Sequence, residues 1–173
     1  MVDLETLGTN PDTIVVSIGA CFFDIETKQL GPTFYMALDI EDQLKKGRSI
    51  TGSTLKWWMS QSDAVKKVFH EKSKPTSEVL NTLVYWIKQE TNKKNLKPWG
   101  NGNTFDISIL ENMFNQYNIE VPFMYYNSMD LRTFRRFVAN NEKVDKSEGT
   151  NHNALDDAKN QALFVIKHSN KEV

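Results

Sequence analysis

Apolar positions recur along this chain at two different periods, and the switches between them outline its elements. Residues Thr13–Asp24 are dense in β-branched and aromatic side chains and read as a strand. Met1–Leu4 reads as the end of a short strand, and Pro32–Asp39 as a third one, antiparallel after the turn region Asp24–Gly31. Thr54–His70 reads as helix in two pieces, broken near Ser60–Ser62. Val79, Leu80, Leu83, Val84 and Ile87 stand at helical spacing and predict an amphipathic helix over Thr76–Glu90. Leu96–Asn101 predicts a short strand running into Gly100-Asn101-Gly102, and Thr104–Tyr117 returns to helical period through Phe105, Ile109, Met113 and Phe114. Met124–Met129 predicts a strand, Asp130–Asn140 a helix capped by Asp130, Asn141–Asn151 a polar mobile loop, and Ala154–Lys167 a final helix. Three early strands followed by alternating helices and strands place the chain in the α/β class, with one mixed five-stranded sheet flanked by helices on both faces.

Length changes little in that picture: 173 residues fit a single domain. The composition, 39% hydrophobic and 25% charged, suffices for a core without disulfides or a structural metal. Cys21, the one cysteine, falls inside an apolar run and reads as a small core residue in a reducing compartment. No stretch approaches the roughly 20 apolar residues that span a bilayer. Asp3 and Glu5 stand where a signal peptide would carry basic residues. The expectation is a soluble, cytoplasmic protein.

Charge matters more. A formal net charge of −1 lacks the basic excess of proteins that coat nucleic acid. Any action on nucleic acid must rely on local positive charge or on metal ions, which points to an enzyme with a transient substrate. Lys45, Lys46 and Arg48, and the group Lys93, Lys94 and Lys97, read as solubilising; His70 and His168 read as surface residues.

The residues with chemistry to offer are acids at strand ends and helix starts. Asp3 and Glu5 are two apart on a strand, so both side chains project to one face and reach one ion. Asp106 opens a helix after a strand, and Asp156 and Asp157 open the last helix, preceded by His152. Each acid alone has an ordinary explanation, Asp106 and Asp156 as stabilisers of helix N-termini above all. Together they would repel at neutral pH unless a cation bridged them. Hard oxygen ligands select Mg²⁺ or Mn²⁺, and no Cys/His zinc set is present. Two such ions about 4 Å apart clamp the attacking and leaving oxygens of a phosphoryl displacement. If Asn153 caps the last helix, His152 lies just outside it and reaches the same site as a general base. Helical periodicity leaves Asp156 and Asp157 tied, one on each flank of the stripe Leu155, Ala158, Ala162, Val165.

These residues resemble the DEDDh exonucleases of the ribonuclease H-like, proofreading-exonuclease superfamily. The motifs are Asp3-Leu4-Glu5-Thr6-Leu7-Gly8, then Asn103-Thr104-Phe105-Asp106, then His152-Asn153-Ala154-Leu155-Asp156-Asp157-Ala158. The family's spacing of five between His and Asp selects Asp157. Leu7-Gly8, Trp57-Trp58-Met59-Ser60-Gln61 and Asp130-Leu131-Arg132-Thr133 are similar to a narrower group, the phage DNA exonuclease A type and related bacterial RNA exonucleases. The resemblance spans residues 3 to about 162. Two features depart from it: only two residues precede Asp3, so the first strand is short or the natural chain extends further, and Ile107 follows Asp106 where the narrower group often has Asn.

The resemblance implies a 3′–5′ exonuclease domain over residues 1–173 with a ribonuclease H-like fold. It implies two divalent ions, Mg²⁺ or Mn²⁺, held by Asp3, Glu5, Asp106 and Asp157, with His152 as the base. Thr6 and Leu7 would lie against the 3′-terminal nucleotide. Apart from the resemblance, Phe105, Trp58 and Arg132 are expected as further substrate contacts; Arg132, with Arg135 and Arg136 on the same helix, either holds phosphates or forms a solvated face. Adjacent tryptophans on a helix point about 100° apart, so one of Trp57 and Trp58 joins the core and the other is free to stack on a base. The expected partner is a DNA or RNA 3′ end, held transiently, with single-stranded DNA the first choice; the sequence leaves the oligomeric state open, with a lean to a monomer. The alternatives are RNA or short oligonucleotides, or a non-catalytic nucleic-acid-binding module of the same fold.

Overall fold

The computed structural model describes residues 1–145 and 152–169. Its first three strands, β1 (Val2–Thr6), β2 (Val15–Asp24) and β3 (Gln29–Ala37), form an antiparallel sheet in the order β1-β2-β3. Asp3 stands opposite Gly19 and Glu5 opposite Ser17, and the register shifts between Glu5 and Thr6, where the strand leaves the sheet. After β3 come α1 (Ile40–Lys45), α2 (Gly52–Met59), α3 (Asp63–Lys66), a 3₁₀ turn (Lys67–His70) and α4 (Thr76–Glu90). Next are β4 (Trp99–Gly100), one π-helical turn (Asn103–Ile107), α5 (Ser108–Gln116), β5 (Met129–Asp130), α6 (Leu131–Phe137) and α7 (Ala154–His168).

Strand period two sorts side chains onto two cores. Val2, Leu4, Ile18 and Ala20 face α4 and α5, packing on Val79, Leu80, Leu83, Ile109, Met113 and Phe114. The opposite parity, Met1 and Cys21, packs on α7 through Ala158, Ala162 and Val165. A smaller cluster of Leu7, Ile14, Val16, Trp58 and Val68 lies under α2 and α3. Helices thus cover both faces, as the alternation of elements predicts. Among the described residues no helix is long and apolar enough to cross a membrane.

The sheet departs from expectation. In place of one five-stranded sheet, β4 and β5 form a separate two-stranded parallel pair, Trp99 opposite Met129 and Gly100 opposite Asp130. β4 lies beside β1 without entering its ladder. Pro98 supplies no N–H, and the chain passes from Gly100 straight into the π turn, which shortens the expected strand Leu96–Asn101 to two residues. The strand expected over Met124–Met129 is replaced by a 3₁₀ turn (Tyr125–Asn127) before β5, with Asn127 Nδ2 donating to the carbonyls of Lys94 and Leu96. The short helix α1, capped by Asp39, has too few turns to show a period, and the sequence reading missed it. From residue 146 the polar loop expected over Asn141–Asn151 lies outside the described residues.

Two surface assignments also fail. Arg48 is 3% exposed: its guanidinium donates to the carbonyls of Pro11 and Thr13 and to Asn112 and Gln116, so it ties the loop after β1 to α5. His168 is 1% exposed, its ring centroid 4.4 Å from that of Phe164 and tilted 37° to it, with Glu142 Oε2 3.5 Å from its Nε2. Arg48 stands in a polar stretch that carries no period, so only the fold shows that it turns inward; His168 stands three residues beyond Val165 beside the buried stripe of α7, and that spacing is the signal that could have placed it inward.

Candidate active site

The two acids of β1 point to the α7 face, as strand period two requires, because Val2 and Leu4 occupy the other face. Trp58 Nε1 donates 2.8 Å to the carbonyl of Thr6 and fixes the end of the strand.

Asp106 arrives from the opposite side on the π turn. The helix expected from Thr104 begins instead with a widened turn, in which Ser108 N–H reaches back five residues to the carbonyl of Asn103. At its start Phe105 and Asp106 both donate to the carbonyl of Gly102, and Asp130 accepts from Asn103 N at 2.7 Å. Widened turns of this kind recur at functional sites. Gly100 makes room for the acid, since a Cβ there would stand 3.0 Å from Asp106 Cβ and 3.1 Å from its Oδ2.

The third contribution comes from the start of α7. Asn153 caps the helix, its Oδ1 accepting from Leu155 N and Asp156 N at 3.1 Å each. His152 sits just outside with φ +63°, a left-handed conformation uncommon for a residue with a side chain. Its backbone N–H donates 3.2 Å to Asp157 Oδ2. The tie that periodicity left is resolved by the fold: Asp157 is buried towards the sheet, 5% exposed, and Asp156 only partly buried. Gly19 permits this approach, because any Cβ on it would fall 2.1 Å from the carbonyl carbon of Ala154.

These three segments converge. Glu5, His152 and Asp157 each offer a ligand atom within 4.8 Å of the others. Asp3 feels the charges of Asp106, Glu5 and Asp157, and burial followed by that repulsion holds its carboxyl well above the usual carboxylate range, against the opposing hydrogen bond from Gln161. Burial pushes Asp106, 2% exposed, up to about 6 in spite of backbone N–H groups that favour its charge. Four carboxyl groups gathered with little solvation form a cluster short of positive charge. An oxygen-rich set with one imidazole fits a hard divalent cation.

The expected substrate contacts fare differently. Arg132 lies over Gly102, its guanidinium carbon 3.5 Å from where a Cβ would stand, and so reaches the turn that bears Asp106. Thr6 and Leu7, 7% and 4% exposed, are buried at the end of β1; Thr6 Oγ1 donates to Gly8 O, and Leu7 packs in the small cluster. Phe105 packs against the α4–α5 core. Trp58 is the core member of its pair, 2% exposed, its N–H spent on Thr6 and its ring edge-on to Phe69, so it has no face open to a base. Trp57 is the exposed one, and its ring stands 4.9 Å from the His152 ring at 79°. The sequence narrowed the choice to the pair; which of the two faces outward depends on how α2 rolls against Leu7 and Val68. Gln161, which donates 2.7 Å to Asp3 Oδ1, escaped the sequence reading, although its place four residues beyond Asp157 puts it on the same helix face.

An exodeoxyribonuclease of Enterobacteria phage T4 is 26% identical over a 161-residue alignment, covering 77% of this chain and 68% of the phage protein. The nuclease domain of 3'hExo, a DEDDh family member bound to rAMP, has the same fold with a TM-score of 0.61, 14% identity, and coverage of 96% of this chain and 88% of that domain. A full-length 3'-exonuclease superimposes with a TM-score of 0.59 at 14% identity, covering 96% of this chain and 78% of the other. The family described as the 3'-5' exoribonuclease Rv2179c-like domain matches residues 1–168. With nearly the whole chain matched and the acids of its three motifs gathered at one site, the protein belongs to that family and is a DEDDh 3′–5′ exonuclease.

Proposed function

We propose that residues 1–173 act as one exonuclease domain that removes nucleotides from the 3′ end of single-stranded DNA, releasing nucleoside 5′-monophosphates. The observation that carries this reading is the approach of Glu5, His152 and Asp157 to within 4.8 Å, beside Asp3 and Asp106. Asp3, Glu5, Asp106 and Asp157 would hold two divalent cations, Mg²⁺ or Mn²⁺, which when bound supply Lewis acidity towards the phosphoryl and water oxygens.

The remaining work belongs to the chain. His152 takes the proton of the attacking water at an imidazole nitrogen; its left-handed backbone and the edge of Trp57 hold the ring towards Glu5 and Asp157. Arg132, beside the Asp106 turn, meets a phosphate of the strand, and Trp57 replaces Trp58 as the platform for a base. Thr6, Leu7 and Phe105 flank the acids in sequence but pack inward, so they would border the 3′-terminal nucleotide through their backbone and the edges left at the surface. The low basicity of the chain fits a substrate held briefly and released.

The DNA reading follows the phage relative's description; the family's description as an exoribonuclease supports RNA as the second reading. Digestion of 5′-labelled single-stranded DNA and RNA of equal sequence, with Mg²⁺ or Mn²⁺, separates the two. DNA shortened one nucleotide at a time, and faster than RNA, is the expected result; the reverse order of rates establishes the second reading. Asp3→Ala and Asp157→Ala are each expected to abolish turnover with the circular dichroism spectrum retained, and wild-type rates in either would end the assignment. His152→Ala is expected to lower kcat far more than it raises KM. A change confined to KM would remove His152 from the base role.

A further inference from the structure

Gln161 stands on α7 one turn beyond Asp157 and is 6% exposed. Its Nε2 donates 2.7 Å to Asp3 Oδ1. Its Oε1 is buried with no hydrogen-bond partner among the described residues. Reversing the amide would set a carbonyl oxygen against a carboxylate oxygen, so the chemistry itself assigns which end faces Asp3. The side chain therefore accepts the desolvation of a bare acceptor in order to keep a donor on the acid. An amide that served only to fill space would be replaced at no loss by an apolar residue of the same length.

The position of that donor matters. Asp3 feels the charge of each of the other three carboxylates, and Gln161 is the side chain whose hydrogen bond counters that repulsion. A carboxylate pressed by three like charges swings away unless something holds it. We propose that Gln161 is a positioning residue for cation binding: it engages Asp3 Oδ1, sets the plane of the carboxyl group and leaves Oδ2 facing the shared site. Partners of this kind, one bond removed from a metal ligand, hold ligands in place and tune affinity. The inference rests on the reading of the four acids as a cation site.

The test is calorimetric titration of the full chain with Mn²⁺ alone, paired with thermal melting in EDTA, for wild type and Gln161→Met. Methionine keeps the length and removes both the donor and the bare acceptor. Wild type is expected to bind Mn²⁺, and Gln161→Met to bind it about 10- to 100-fold more weakly. In EDTA the variant should melt at the wild-type temperature or above it. That combination separates positioning from a structural role, because a structural residue would lower the melting temperature as well. Gln161→Leu gives a second, smaller apolar side chain should methionine crowd the site. Mn²⁺ binding within about threefold of wild type in either folded variant overturns the inference. So does weakened binding that tracks a lowered EDTA melting temperature in both. A wild-type chain that binds no Mn²⁺ overturns the cation-site reading itself, and this inference with it.

Discussion

Gly19 lies in β2 opposite Asp3, and the first turn of α7 crosses directly over it. A Cβ built at residue 19 falls 2.1 Å from the carbonyl carbon of Ala154, 2.2 Å from Leu155 N and 2.3 Å from Ala154 O. All three are backbone atoms, so no rotamer change relieves the clash. Carbon atoms rest about 3.5–4.0 Å apart, which requires α7 to retreat by well over about 1 Å at its N-terminus or β2 to buckle. Overpacking of a core costs about 1–3 kcal/mol, and a rigid backbone partner places Gly19→Ala at or above the upper end. For a domain of this size about 3 kcal/mol lowers Tm by roughly 6–12 °C. The same retreat carries Asn153, His152 and Asp157 away from Glu5, whose ligand atom now lies within 4.8 Å of theirs. A misplacement of about 1 Å at a reacting centre costs on the order of 100-fold in rate. Gly19→Ala is therefore expected to melt several degrees lower and, at temperatures where it stays folded, to lose about two orders of magnitude in kcat on a labelled oligonucleotide. A variant with wild-type Tm and a kcat within about threefold of wild type would refute the role of close helix–sheet approach in assembling the site.

Three further outcomes follow from the geometry. Asp106 binds its proton more tightly folded, near pH 6, than at its ordinary 3.8, so the metal-free protein loses stability as pH rises from about 4 to about 6 and stays penalised above that, by up to about 3 kcal/mol. In EDTA Asp106→Asn should exceed wild type in urea-unfolding free energy above pH 6, with the gap closing towards pH 4; a gap that does not change with pH would contradict this. Arg48→Ala strands the carbonyls of Pro11 and Thr13, which the guanidinium now serves, and should cost about 2–4 kcal/mol in chemical denaturation, where a truly solubilising arginine would cost nothing measurable. Asn153→Ala removes the acceptor for two backbone N–H groups and should cost about 1 kcal/mol in the same assay, with kcat falling because His152 loses its fixed place beside the cap.

What was legible from residues alone was whatever repeats with a short period or sits at a fixed offset. Strand parity placed Asp3 and Glu5 on one face; helical period placed the α4 stripe, and the cap at Asn153 put His152 outside α7. Those are local geometries, set by a few dihedral angles and independent of what packs against them. The tertiary structure decided the rest, because packing partners are distant in sequence. Only the fold shows that Asp157 turns inward and Asp156 less so, that Trp58 is core and Trp57 borders His152, and that Arg48 is buried. Only the fold joins Gln161 to Asp3 across a separation of 158 residues. It also splits the five strands into two sheets, since β4 and β5 are two residues each and owe their pairing to the turns at Asn103 and Asn127 more than to any strand-forming run of their own. A long run of side chains announces its own conformation; a two-residue strand and a lone buried amide take theirs from neighbours the sequence does not place beside them.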